Sequence, residues 1–175
     1  MRAGRWRRAG AAGIAAALLL VSSGCQVGPA QPGPAELRTS APPWDAPRDG
    51  VSYIDKAGFE RLPLDFSGPS PYTLHIAVTV DGKPVQIPAG VGIDRLRAEQ
   101  AAIHTHTTDG VVWVEAKTAS EHPTLAQFFT LWGVQYDAKC IADACTALSI
   151  TVDGKPAPWN TPLVRNSHVT VSARH

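Results

Sequence analysis

From Tyr72 onward the chain alternates between apolar and polar positions. Leu74, Ile76, Val78 and Val80 are apolar, with Thr73, His75, Ala77 and Thr79 between them. That period of two gives a β-strand one apolar face. Asp81-Gly82 follows, and then Pro84, Val85, Ile87 and Pro88. An Asp-Gly pair between two such runs predicts a tight hairpin, because a type I′ turn requires positive φ at both central residues. The same pair recurs at Asp109-Gly110, between the runs 103–108 and 111–115, and at Asp153-Gly154, after the run 148–152. A last strand is predicted over 168–173, with Val169 and Val171 on its apolar side. The hexapeptide Thr-Val-Asp-Gly-Lys-Pro occurs at 79–84 and again at 151–156. Hairpin chemistry used twice explains this as well as an internal duplication does.

The period changes once, after Pro123. Leu125, Phe128, Phe129 and Trp132 fall at i, i+3, i+4 and i+7, one face of a short helix. Thr124 and Gln127 have the spacing of a capping box, and Gly133 supplies the stop. So short a helix is marginal alone. It must be held by packing, and the apolar face of the sheet is the surface available. Four such side chains, at about 1.5 to 3 kcal/mol each, would make it the plug of the core. Residues 72–175 therefore read as a small α+β domain, a mostly antiparallel sheet of hairpins with one amphipathic helix across one face. The nearest common form is β-grasp-like, and a β-sandwich with a helical insertion is the competing form.

The N-terminal part differs. Arg2, Arg5, Arg7 and Arg8 precede an apolar run of 11 residues from Ala11 to Val21, then Ser22-Ser23-Gly24-Cys25. This is the layout of a secretory signal peptide, and the run falls short of the ~20 residues needed to span a bilayer. Gly24-Cys25 after Leu-Leu-Leu-Val-Ser-Ser resembles the lipobox of bacterial lipoproteins, although Ser22 stands where an aliphatic residue is usual. The resemblance implies that Cys25 is acylated and becomes the first residue of the mature chain. The alternative is an ordinary cleaved signal and a free secreted protein. Residues 26–71, rich in proline, glycine and alanine, read as a tether followed by an irregular arm. Tyr53, Ile54, Phe59, Leu62, Leu64 and Phe66 give that arm enough apolar side chains to lie against the domain.

Removing the first 25 residues takes four arginines and no acid, leaving 12 basic and 15 acidic residues, a formal −3. No basic stripe remains to hold nucleic acid. In an exported chain Cys140 and Cys145 are expected to form a disulfide. Four residues lie between them, whereas redox pairs favour Cys-x-x-Cys.

The candidate chemistry lies in the histidines. By the period of two, His75 points away from the core, and His104 and His106 lie together opposite Ile103. If the helix covers the apolar face, all three lie on the open one. Should the two strands be neighbours, His75, His104 and His106 form a candidate metal site, to which Asp109 or Glu115 would add a carboxylate. Imidazoles suit Zn and Cu(II). Blue-copper and thioether sites do not fit: the cysteines are otherwise engaged, and the single methionine is Met1. The competing expectation is that these are solvent-exposed histidines on a polar strand face; His122, just before the helix, and His168, near the end of the chain, read as ordinary surface residues.

The string His104-Thr-His106-Thr-Thr-Asp109-Gly110-Val-Val-Trp-Val-Glu115, with Thr124-Leu-x-Gln127-Phe128-Phe129-x-x-Trp132-Gly133 after it, resembles a group of small exported bacterial proteins. They share an HTHxxxGxxxxE hairpin, a TLxQFFxxWG helix and an upstream histidine-bearing strand. The group has no established function, so the resemblance implies a domain type and no activity. Its histidine-richer members carry further histidines at places held here by Thr73, Ala77 and Trp113.

Catalysis is not expected. The chain has no Gly-x-Ser-x-Gly, no Gly-rich phosphate loop and no His-Glu-x-x-His. The expectation is a binding domain, lipid-anchored on the extracytoplasmic face of the cell membrane, with a Cu or Zn ion as its ligand. The alternative is an envelope module that holds a protein or polymer on the open sheet face, with Trp113 and Trp159 as aromatic anchors.

Overall fold

A computed structural model describes residues 31–175. The stretch read as a signal peptide, with Cys25 at its end, lies outside the described residues. Among the described residues, two short helices and two sheets make up the fold. In chain order the elements are α1 (Gly50–Lys56), β1 (Leu62–Pro63), β2 (Tyr72–Val80), β3 (Lys83–Val85), β4 (Ile93–Asp94), β5 (Glu99–Gln100), β6 (Ile103–His104), β7 (Val111–Val114), α2 (Leu125–Trp132), β8 (Thr146–Val152), β9 (Lys155–Pro156) and β10 (His168–Arg174).

The main sheet runs β6-β7-β2-β10-β8-β9, and β3 pairs with the far half of β2. β2 and β10 are parallel, with His75 opposite His168 and Val80 opposite Ala173. The other strand pairings among the described residues are antiparallel. The predicted α+β class, with a mostly antiparallel sheet, therefore holds. The alternation of β2 is realised residue by residue, with Leu74, Ile76, Val78 and Val80 buried on one face, alongside Val169, Val171 and Ala173 of β10. A smaller sheet, β1-β5-β4, lies outside this path.

Helix α2 forms as its periodicity predicts. The Thr124 hydroxyl and the Gln127 side chain complete a reciprocal capping box, and Gly133 ends the helix at φ 73°. Leu125, Phe128, Phe129 and Trp132 are fully buried in the core. Two of the three Asp-Gly turns are also as expected. Asp81-Gly82 and Asp153-Gly154 take positive φ at both residues, and each copy of the hexapeptide makes a two-residue hairpin with Thr paired to Pro and Val to Lys. The third turn differs: only Gly110 has positive φ. The Asp109 carboxylate instead accepts from Thr107 Oγ1 and from the Val111 N–H, building a wider loop. The strands flanking it are correspondingly short. Cys140 and Cys145 are joined by a disulfide.

The segment 26–71 requires a correction. From Arg38 onward it belongs to the folded body and is not a tether. The Arg38 N–H donates to the Gly133 carbonyl, and Gln135 N–H donates to that of Arg38. Trp44 is buried edge-on against Trp132 with ring centres 5.4 Å apart, and the Trp132 indole N–H donates to the Trp44 carbonyl. The expected irregular arm contains helix α1, which buries Val51 and Ile54. The Val51 N–H at its start is taken up by the buried Asp94 carboxylate. Pro42, Pro43 and Pro47 forbid regular structure around Trp44 but not packing. A buried tryptophan's large apolar surface outweighs the compositional signal.

Candidate functional site

The two histidines of the second hairpin enter different surroundings, and His104 requires the second correction. The alternation places it on the open face, yet it is 0% exposed. The reason lies in the segment before it. Val91 N–H and the Pro88 carbonyl both bond the Thr105 hydroxyl, Thr105 N–H donates to the Val91 carbonyl, and Gly90 N–H to that of Thr105. Residues 88–92 are thereby drawn along the edge of β6, with Gly92 against the Cα and Cβ of His104. Gly92 permits this approach: it has φ +72°, and a Cβ there would stand 2.4 Å from the Ile103 carbonyl oxygen. His106, two residues on, is beyond this cover and exposed.

The His104 ring has one satisfied nitrogen. Nδ1–H donates to the Ala101 carbonyl at 3.1 Å, which leaves the lone pair on Nε2. That Nε2 is buried and has no hydrogen-bond partner among the described residues. The group facing it is Glu115 Oε2 at 3.6 Å, beyond the 2.7–3.2 Å range of an N–H···O bond. Burial disfavours the imidazolium and pushes the His104 pKa down to about 4; the Ala101 carbonyl opposes the shift and nearby His106 adds to it. At neutral pH the ring is therefore uncharged. The Glu115 carboxylate is itself held by Gln100, whose amide donates to Oε2 at 3.1 Å and to the Phe66 carbonyl at 2.8 Å.

His106 meets the His104 ring edge-on with centres 4.8 Å apart, and Trp113 meets His106 at 5.6 Å. His75 is not part of this group. Strand β7 lies between β6 and β2, and His104 is level with Trp113 and Thr73 rather than with His75. Two strand spacings, roughly 10 Å, separate their positions across the sheet. The His75 ring instead lies 5.2 Å from that of His168 and donates Nε2–H to the Asp109 carbonyl at 2.7 Å. Asp109 is spent on its own turn, where bonds from Thr107 and Val111 hold its carboxyl below the usual range.

The structure thus makes two histidine pairs from residues that the sequence suggested as one trio and a bystander. Glu115 was visible in the sequence as a potential carboxylate. Gln100 and His168 were not: the signal for His168 is the pairing of the first and last strands of the main sheet, which no local pattern carries. Among the described residues no group of three or more His, Cys, Asp or Glu side chains stands ready to hold a metal ion, and no helix is long and apolar enough to cross a membrane. Compared with known proteins, the chain matches no family model, no curated protein and no solved structure.

Proposed function

We propose that the chain is a non-catalytic binding domain, lipid-anchored through Cys25 on the extracytoplasmic face of the cell membrane, which takes up a Zn(II) or Cu(II) ion between His104 and Glu115. The observation that carries this reading is the buried Nε2 of His104, without a hydrogen-bond partner among the described residues and set 3.6 Å from a carboxylate oxygen. Two acceptors facing each other in a buried site are mutually unfavourable, and a cation between them removes the conflict. The distance suits one. Ligand atoms bound at ~2.1 Å in a tetrahedral shell lie about 3.4 Å apart. The outer bonds suit one as well: a ligating histidine donates its other N–H to a carbonyl, and a ligating carboxylate is held by a second polar group. Ala101 and Gln100 play those parts here.

Exposed His106 completes the set by a rotamer change and offers the entry path. The ligand set is thereby revised from His75, His104 and His106 to His104, Glu115 and His106. The strand order supports the β-grasp-like form of the fold, with a first hairpin, parallel first and last strands of the main sheet at the centre, and a second hairpin beyond them.

Titration of the detergent-solubilised full chain with Zn(II) and Cu(II) tests the reading. Sub-micromolar binding, weakened at least tenfold in His104→Ala and in Glu115→Gln, is expected; equal binding by wild type and both variants would sink it. One observation favours the envelope-module alternative, the 37% exposure of Trp113 beside His106. That alternative predicts capture of an envelope polymer or protein that is unaffected by chelator and lost in Trp113→Ala.

A further inference from the structure

The second histidine pair lies on the open face of the main sheet, away from His104. In the parallel pairing of β2 with β10, His75 stands directly opposite His168, so both side chains leave the sheet on the same side. Leu74, Ile76 and Val169, their apolar neighbours along the strands, go into the core. The two rings have centres 5.2 Å apart and are inclined by 33°. Two imidazoles bound to one ion at ~2.0–2.1 Å have ring centres about 5 Å apart, so little rearrangement would let this pair share a cation.

The tautomer is also set. His75 Nε2–H is committed to the Asp109 carbonyl at 2.7 Å, the outer bond expected of a ligating histidine. Its Nδ1 therefore carries the lone pair and has no hydrogen-bond partner among the described residues. Gly110 allows the arrangement, since a Cβ at that position would stand 2.9 Å from His75 Nε2. His168 is held at the backbone, its N–H donating to Asp153 Oδ1 at 2.8 Å. The groove between the rings, about 350 Å³, is lined by Thr73, Val111, Asn166 and Ser167 and by no lysine or arginine that would repel a cation.

We propose that His75 and His168 form a second metal site, a shallow two-imidazole site that takes a borderline divalent cation, Cu(II) before Zn(II) by the Irving–Williams order, with solvent completing its coordination. This site is independent of the one at His104 and stands if that one fails. Because both histidines reach solvent on a strand face, their replacement by alanine leaves the core intact.

The experiment is Cu(II) titration of the detergent-solubilised full chain by calorimetry, with nitrogen hyperfine structure in the copper EPR spectrum as the second readout. Wild type is expected to show a site whose spectrum carries two equivalent nitrogens. His75→Ala and His168→Ala should each weaken that site at least tenfold and leave one nitrogen, while His104→Ala leaves it unchanged. Unaltered affinity and spectrum in both His75→Ala and His168→Ala overturn the proposal. A loss of the same size in His122→Ala also overturns it, because that outcome marks a general affinity of surface histidines. Binding lost only in His104→Ala supports the first site and refutes this one.

Discussion

Acidification of the metal-free protein should remove stability at His104, and the sign of the effect decides what the residue is. In the unfolded chain its ring titrates near 6.5; in the folded one, burial holds the pKa down to about 4. Between those values the unfolded state binds the extra proton, so folding stability falls as the pH is lowered from 6.5 to 4 and the loss is complete below 4. A separation of about 2.5 pH units at 1.36 kcal/mol each amounts to about 3 kcal/mol, a large part of the 5–15 kcal/mol typical of a domain. Carboxylates add acid sensitivity of their own, so the informative quantity is a difference. Urea unfolding of EDTA-treated wild type and His104→Gln at pH 7, 6, 5 and 4 isolates it. The stability of wild type relative to the variant should fall by about 3 kcal/mol across the series, with little change between pH 7 and 6.5 and most of the loss between pH 6 and 4. A relative stability that rises on acidification would refute the reasoning. It would mean that His104 is an imidazolium paired with the Glu115 carboxylate, and the neutral lone pair on which metal binding depends would not exist.

Three other substitutions test the fold around the site. Trp44→Ala removes a buried ring that meets Trp132 edge-on, and should cost about 3–5 kcal/mol in urea unfolding; an effect under 1 kcal/mol would return this segment to the status of a tether. Gly92→Ala puts a side chain at φ +72° and 2.4 Å from the Ile103 carbonyl. A loss of at least about 2 kcal/mol is expected, with the His104 ring becoming accessible to histidine-modifying reagent, and a protected ring in the variant would contradict the account of its burial. Replacing Cys140 and Cys145 together by serine opens a short loop and should lower stability by about 2 kcal/mol, read as the shift in urea midpoint relative to the oxidised parent.

Whatever depends on neighbours along the chain could be read in advance. The face of β2, the Thr124–Gln127 cap, the stop at Gly133 and the turns at Asp81-Gly82 and Asp153-Gly154 each arise within a few residues, where period, capping and φ preference act directly. The exposed side of His75 follows from the same rule. The Asp109-Gly110 turn broke the pattern because its aspartate side chain found partners two residues away on either side, a local competition that the dipeptide alone does not reveal.

The tertiary structure decided the rest. That Trp44 and α1 belong to the core depended on an apolar surface left open by α2, which proline-rich composition conceals. That His104 is buried went with residues 88–92 being held along the edge of β6, so a side chain that alternation assigns to solvent lost its water. That His75 meets His168 and not His104 depended on the parallel union of β2 with β10, strands separated by most of the domain. Sequence by itself determined which residue types were available for metal chemistry, because composition and local period do not depend on the fold. Which of them share a site is a matter of long-range strand order and loop cover, and those are settled by the packing of the whole domain.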